Sequence, residues 1–157
     1  MSKTTRATQA LQRAGVAFAT ATYDYDPGAD RIGLQAADAM GVPARIVLKT
    51  LMAEADGKPV CVVVPSDREV AMKKLAVAFG ARSAQMMRPA DAERVTGYHV
   101  GGISPLGQKR PVPTVIEETA MAEAEVFVNG GQRGLQIRLK PQDLRAALDA
   151  KVAVLVA

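Results

Sequence analysis

The clearest pattern of apolar and polar positions lies between residues 45 and 64. Residues 45–55 are rich in aliphatic and β-branched side chains, which is typical of a β-strand. Asp56-Gly57 interrupts this run, and residues 59–64 form a second apolar stretch. Asp-Gly between two such stretches is a strong short-range signal for a hairpin turn. The sequence therefore predicts a β-hairpin that turns at Asp56-Gly57.

Helices are predicted where an apolar stretch follows a capping residue or a proline and stops at a glycine. Ser66 and Glu69 have the spacing of a capping box, so a helix is predicted from there to Phe79, before Gly80. Proline is favoured in the first turn of a helix because its missing N–H would be unpaired there anyway. The predicted helices are 1–14, 34–40, 66–79, 89–95 and one that starts at Pro141.

Several other short stretches have strand composition. A second hairpin is predicted around the glycine-rich residues 130–134. Strands interleaved with helices, including two hairpins, predict an α/β fold with a mixed sheet rather than a doubly wound parallel one. The predicted strands outside the first hairpin are 16–23, 83–87, 114–116, 125–129 and 135–139, and residues 152–157 are left as an apolar tail.

Composition and charge narrow the class of protein. At 157 residues the chain is long enough for one domain and short for two, so we expect a single domain over residues 1–157. The net charge of +4 attracts phosphate but does not by itself identify a partner. Cys61 is the only cysteine and His99 the only histidine, which excludes an internal disulfide and the usual Cys/His zinc site. We therefore expect no metal and no cofactor.

Residues 96–110, here called the glycine loop, are committed to a particular backbone shape. They carry glycine at positions 97, 101, 102 and 107, with a proline at 105. Glycine adopts positive φ without a Cβ clash and lets a ligand approach the main chain. Two interpretations follow: tight turns, which residue types alone favour, or a site built from backbone amides.

Lys49 is the unusual charge of the first predicted strand, since it lies among aliphatic residues. It must either extend to solvent or meet an anionic or carbonyl partner, and the pattern leaves both interpretations open. Tyr23 and Tyr25 flank a predicted turn, where edge packing is favoured over a role in a pocket wall. Cys61 lies in an apolar run and is interpreted as a buried small side chain rather than a nucleophile.

Four segments, taken in order, closely resemble the YbaK/EbsC family, bacterial aminoacyl-tRNA deacylases related to the editing domain of prolyl-tRNA synthetases. The segments are Tyr23-Asp24-x-Asp26-Pro27, Lys49-Thr50-Leu51, the glycine loop, and Gly130-Gly131-x-Arg133-Gly134-Leu135. The resemblance covers nearly the whole chain. It implies the family's strongly curved, barrel-like mixed sheet surrounded by helices.

The resemblance also implies a site. The catalytic residues that it implies are Lys49, Gly101, Gly102 and Ile103. The substrate-binding residues that it implies are Tyr23, Ile32, Thr50, Ser104, Asn129, Gly130 and Gln136. Lys49 would act as a fixed cation near the terminal adenosine's phosphate or the carbonyl oxygen, and the loop amides would stabilise the oxyanion. Family members commonly show an aromatic residue at position 32, serine at 129 and aspartate at 136, so these three positions leave the amino-acid preference open.

The implied function is a trans-editing deacylase that cleaves Cys-tRNA(Pro), and also Cys-tRNA(Cys), with the thiol of the substrate as nucleophile. Two alternatives stay open: an Ala-tRNA(Pro)-type deacylase that uses an activated water, and a non-catalytic tRNA- or synthetase-binding module. A small-molecule hydrolase would need a nucleophile and a base, and His99 has no evident partner. The expected partners are the 3′ aminoacyl-adenosine end of tRNA and, transiently, prolyl-tRNA synthetase. We expect a cytoplasmic monomer or weak homodimer that does not enter a membrane.

Overall fold

A computed structural model describes residues 4–28 and 32–157 of the chain. Within these ranges the five α-helices, α1 to α5, are Arg6–Arg13, Ile32–Met40, Met72–Ala78, Pro89–Thr96 and Pro141–Leu148. The eight strands there, β1 to β8, are Ala19–Thr22, Leu48–Ala55, Lys58–Pro65, Ala84–Met86, Thr114–Glu117, Val126–Asn129, Leu135–Leu139 and Lys151–Ala153. Short 3-10 helices span Ala44–Ile46 and Glu118–Ala122. None of the helices in the described ranges is long and apolar enough to cross a membrane.

The strands form two sheets. The larger has the order β4-β2-β3-β5-β8, in which β2 pairs antiparallel with β3 and β4, whereas β5 pairs parallel with β3 and β8. The smaller, β1-β7-β6, is antiparallel throughout. A bridge between Val47, which precedes β2, and Phe127 of β6 joins them. The predicted mixed α/β class is confirmed, but one barrel-like sheet is not supported, because each of the two sheets ends in edge strands.

The hairpin of β2 and β3 is confirmed at the predicted turn. Asp56 and Gly57 both have positive φ, 49° and 80°, as the tight turn of a two-residue hairpin requires. The strand itself begins later than predicted, at Leu48, because Ala44–Ile46 form a 3-10 helix. Eight residue pairs of β2 and β3 are in register, from Leu48 with Pro65 to Ala55 with Lys58.

An aliphatic core holds the two sheets and the helices α1 and α5 together. Leu11, Ile116, Ile137 and Leu144 come from four different elements, are fully buried and belong to one cluster. Each such side chain contributes roughly 1.5–3 kcal/mol on burial. This packing fixes β2 and β6 relative to one another, and these strands carry residues of the predicted site.

The predicted capping box is wrong. The hydroxyl of Ser66 donates instead to the carbonyl of Val47, and the Ser66 amide donates to the same oxygen at 2.9 Å. Helix α3 starts only at Met72, with Ala71 as its N-cap. The local signature failed because the Ser66 side chain has an acceptor in the chain segment that precedes β2. Glu69 therefore lies before the helix and does not cap it.

The C-terminal residues form structure that the sequence patterns do not predict. β8 pairs parallel with β5, and the amides of Leu155 and Val156 donate to the carboxylate of Glu117 at 2.8 and 3.2 Å. Burial alone would raise the pKa of Glu117, but these bonds and those from Thr119 lower it overall. A three-residue strand is too short to show a periodic pattern, which is why only an apolar tail is predicted there.

Candidate active site

A cavity of about 360 Å³ lies between β2, helix α4 and the glycine loop. It brings together six of the predicted site residues, namely Lys49, Thr50, Gly101, Ile103, Asn129 and Gln136. Four others, Tyr23, Gly102, Ser104 and Gly130, do not line it. Ile32 is the first residue of α2, but its side chain lies outside the part of the chain that the structure describes.

Lys49 enters the cavity from β2 and has a charged partner. Its Nζ lies 3.6 Å from Oε1 of Glu69, and the side chains are 22% and 73% exposed. These two are the only ionisable residues among those described around the cavity. An ion pair this exposed contributes about 0–1 kcal/mol, so its effect is to orient Lys49 rather than to stabilise the fold.

Gly101 and Gly102 are required for different reasons. Gly101 has φ of +92°, and a Cβ there would lie 2.6 Å from the hydroxyl of Tyr25 and 3.2 Å from Nε of Arg133. Gly102 has no positive φ, but a Cβ would lie 2.9 Å from the amide nitrogen of Arg133. Gly101 therefore needs the conformational freedom of glycine, whereas Gly102 permits close approach of a second loop.

The amides of the glycine loop differ in availability. Gly102 donates its N–H to the carbonyl of His99 at 2.8 Å, so this predicted oxyanion donor is already engaged. The N–H groups of Gly101 and Ile103 have no acceptor within the described residues, and both residues line the cavity. The loop thus offers two free backbone donors around the same cavity as Lys49, a set of groups suited to stabilising a developing oxyanion.

Asn129 ties two loops together. Its Oδ1 accepts hydrogen bonds from the amides of Gly131 and Gln132 at 2.7 and 3.2 Å, and its Nδ2 donates to the Gly101 carbonyl at 3.3 Å. It is buried at the end of β6, opposite Gln136 on β7. The side chain therefore holds residues 130–134, the second glycine turn, against the glycine loop.

Three buried polar atoms near the cavity lack a hydrogen-bond partner among the described residues: the Tyr23 hydroxyl, Thr50 Oγ1 and Gln136 Oε1. Buried polar groups are normally paired, and an unpaired one costs roughly 1–3 kcal/mol. Burial and the nearby Tyr25 raise the pKa of Tyr23. Since Thr50 and Gln136 line the cavity, a bound molecule could pair their free atoms.

Ser104 and Gly130 shape the loops instead of the cavity surface. Ser104 is fully buried; its Oγ accepts from the Leu106 amide at 3.2 Å, and its carbonyl accepts from Gln108 at 3.0 Å. A Cβ on Gly130 would lie 2.7 Å from Cγ of Leu135. Neither position lines the cavity, and their role as substrate contacts stays a prediction.

Cysteine and histidine are absent from the cavity lining that the structure describes. Cys61 is completely buried in β3, and burial raises the pKa of its thiol to about 12. The His99 side chain is 86% exposed, with Nδ1 3.6 Å from Glu93, and it does not line the cavity. Within residues 4–28 and 32–157 no group of three or more His, Cys, Asp or Glu side chains could hold a metal ion.

Two further residues at the site, Glu69 and Arg133, are not predicted by the sequence patterns. Glu69 matches a helix cap in the sequence, although it lies on the cavity rim. Arg133 donates from Nε to the Val100 carbonyl at 2.9 Å and lies 5.5 Å from the centre of the Tyr25 ring, so it also joins the two loops. Its position after the second glycine pair is the available signal. The apolar wall of the cavity includes Leu48, Met52, Met87 and Ala92. These residue types also make up the core, so the sequence alone does not distinguish the wall from the core.

Known proteins share the sequence pattern of this chain. The sequence profile of the aminoacyl-tRNA editing domain matches residues 26–147. EbsC of Enterococcus faecalis, by name a candidate Cys-tRNA(Pro)/Cys-tRNA(Cys) deacylase, is 32% identical over 133 residues, covering 83% of this chain and 81% of EbsC. The proline–tRNA ligase of Nitratidesulfovibrio vulgaris is 43% identical over 68 residues, covering 43% of this chain and 12% of the ligase.

The solved structures agree on the architecture. A candidate trans-editing enzyme for prolyl tRNA synthetase matches with a TM-score of 0.82 and 24% identity, covering 97% of this chain and 95% of that one. An identity this low shows a common fold alone, whereas the profile and EbsC each match most of the sequence. The predicted family is confirmed: the chain belongs to the aminoacyl-tRNA editing domain family, with relatives of the YbaK/EbsC type.

Proposed function

We propose that this protein is a trans-editing deacylase that cleaves Cys-tRNA(Pro), with Cys-tRNA(Cys) as a second substrate. The observation that carries the proposal is the convergence of Lys49 with the free amides of Gly101 and Ile103 in one cavity. The name of EbsC supports the choice of substrate. The match over most of both chains supports action as a separate protein rather than as part of a synthetase. The relationship to synthetase domains supports a transient complex with prolyl-tRNA synthetase and a cytoplasmic location.

The chemistry requires little from the protein. An aminoacyl ester is already activated, so orientation and oxyanion stabilisation can supply most of the rate enhancement. The amides of Gly101 and Ile103 would donate to the carbonyl oxygen as it becomes negative. Lys49 would hold the adenosine phosphate or that same oxygen as a fixed cation.

The nucleophile would be the substrate's own thiol. Its sulfur bonds to the ester carbonyl carbon, the bond from that carbon to the ribose oxygen breaks, and the thiol proton ends on the ribose hydroxyl. The product is a cyclic thioester, which water then opens to cysteine. This route fits a cavity whose described lining contains no cysteine or histidine.

The free atoms of Thr50 and Gln136 would contact the aminoacyl group. Both are neutral and can pair with a small polar side chain or an amine. Tyr23 and Ile32, also implied as substrate contacts, would border this region. The presence of Asn129 and Gln136 in place of serine and aspartate would change the size and charge of the pocket, and so the amino acid that it prefers.

A second candidate is an Ala-tRNA(Pro)-type deacylase that uses an activated water. The apolar cavity wall formed by Leu48, Met52, Met87 and Ala92 favours it, since a methyl side chain would bury well there. A non-catalytic tRNA-binding module is the third candidate, and it leaves the two free loop amides without a role.

The test is a deacylation assay on Cys-tRNA(Pro), Ala-tRNA(Pro) and correctly charged Pro-tRNA(Pro). We expect cleavage of the cysteinyl substrate and little of the other two. Preferred cleavage of the alanyl substrate would favour the water-based alternative. If the protein binds tRNA but cleaves none of the three, it is a binding module.

A further inference from the structure

Glu69 is the only carboxylate among the described residues that line the cavity, and its backbone is firmly held. Its carbonyl accepts from the Ala157 amide at 3.0 Å, the Ala71 amide donates to Leu155 at 2.8 Å, and Val70 forms a bridge with Val156. The C-terminal residues thus hold the backbone of residues 69–71 in place. The carboxylate projects from a fixed position on the cavity rim.

The side chain of Glu69 has capacity for another partner. Its Oε1 is 3.6 Å from Lys49 Nζ, beyond the usual hydrogen-bond distance, and 73% of the side chain is exposed. An ionised carboxylate can accept several hydrogen bonds, and within the described residues the Glu69 carboxylate has only this contact with Lys49. A second cation could bind beside Lys49 without breaking any structural contact.

The charges of the cavity match those of an aminoacyl-adenosine. At the 3′ end of a tRNA the adenosine is joined to a phosphate and the amino acid carries an α-ammonium, and the described cavity lining offers one cation and one carboxylate. We propose that Glu69 is a specificity-determining residue that receives the α-ammonium of the aminoacyl group. The site thereby prefers a free α-amine to an N-acylated one. This inference rests on the proposed function, because it assumes an aminoacyl-adenosine in the cavity.

Two simpler roles make different predictions. If Glu69 only orients Lys49, its removal weakens the binding of free and N-acylated ligands equally. If Glu69 is only a solvated rim charge, its removal changes neither. Only a role in recognising the ammonium predicts that removal of Glu69 changes the ratio of the two dissociation constants.

The experiment uses stable amide analogues in which cysteine or N-acetylcysteine is joined to 3′-amino-3′-deoxyadenosine 5′-phosphate. Calorimetry gives their dissociation constants for wild type, Glu69→Gln and the control Glu118→Gln. Glu118 is exposed and does not line the cavity, so its substitution removes the same charge elsewhere. We expect the wild type and the control to prefer the free amine by about fivefold, the size of an exposed charge interaction, and the Glu69→Gln ratio to fall to about one.

Several results would overturn the inference: no preference in the wild type, an undiminished preference in Glu69→Gln, equal weakening of both analogues, or no binding of either to the wild type. The analogues cannot be deacylated, so this outcome does not depend on catalysis. Failure to cleave any mischarged tRNA would refute the proposed function, while the ratio of dissociation constants would still decide the role of Glu69.

Discussion

The two walls of the cavity are built on different principles. The glycine-loop wall offers main-chain amides, and its shape depends on local residues such as Gly101. The β2 wall offers a charged side chain, Lys49, whose partner Glu69 reaches it only through the β2–β3 hairpin and the turn after it. A backbone site can be recognised from a short sequence, whereas a side-chain pair depends on topology. Variants in each wall should therefore fail in different ways.

The largest loss of activity is expected for Lys49→Ala. Deacylation should fall by about a thousandfold, the upper range for loss of one preorganised electrostatic group, while the fold persists because Lys49 fills no core. Lys49→Arg should also fail, since a planar guanidinium does not replace a compact ammonium at a close site. Single-turnover rates on Cys-tRNA(Pro), with circular dichroism for folding, measure both.

Lys73→Ala is the matched control, because Lys73 is exposed on α3 and does not line the cavity. It should retain the wild-type rate. Activity of Lys49→Ala within a few-fold of wild type would remove the β2 wall from the site.

In the other wall, Gly101→Val should lower turnover by about a hundredfold, the scale of losing one oxyanion donor. A side chain here opposes both the positive φ and the close contact with Tyr25. Gly80→Ala is the control, since Gly80 also has positive φ but a Cβ at this position would meet no atom within 4 Å. It should lose about 1 kcal/mol of stability and no activity. Normal turnover in a folded Gly101→Val protein would mean that the loop is only a turn.

Asn129→Ala should have an intermediate effect, because it separates the two loops while leaving Lys49 and the free loop amides in place. It leaves the amides of Gly131 and Gln132 unpaired, at a cost of roughly 1–3 kcal/mol in unfolding free energy. We expect turnover to fall by about tenfold because the Gly101 carbonyl loses its hydrogen bond from Asn129. Asn129→Asp keeps the acceptor but not the donor, so it should preserve more stability than activity. Thermal unfolding and kcat, measured on both variants, separate the loss of stability from the loss of activity.

The smallest effect is expected for Cys61→Ala. The thiol is completely buried, and its pKa is raised to about 12, so it is protonated at neutral pH and takes no part in either wall. Activity should stay within about twofold of wild type, with a stability loss of about 1 kcal/mol from the smaller side chain. Iodoacetamide should not modify the folded protein at a pH of about 8, because the thiolate is scarce and inaccessible. Inactivation by that reagent through Cys61 would contradict this placement.

The sequence predicted what is encoded locally. Asp56-Gly57 identified the hairpin because few other dipeptides suit two successive positive φ angles. The glycine loop was identified as a candidate site by its resemblance to a family motif, and the structure adds that Gly101 and Ile103 have free amides whereas Gly102 does not. The residue types do not indicate that the Gly102 N–H donates to the His99 carbonyl.

What the sequence missed depends on distant contacts. Ser66 and Glu69 match a capping box, yet Val47 and Lys49 are their partners in the fold. β8 was missed because it is only three residues long and its partner β5 lies far away in the chain. The division into two sheets likewise follows from strand pairing, which the strand patterns alone did not determine.

The central claim, that the substrate supplies its own nucleophile, is tested most directly by comparing the rates at which the wild-type protein cleaves cysteinyl-, seryl- and alanyl-tRNA(Pro). We predict rapid cleavage of the cysteinyl substrate, much slower cleavage of the other two, and a cyclic thioester that forms before free cysteine. Equal rates on the cysteinyl and alanyl substrates would contradict the claim and indicate an activated water held near Lys49 and Gly101.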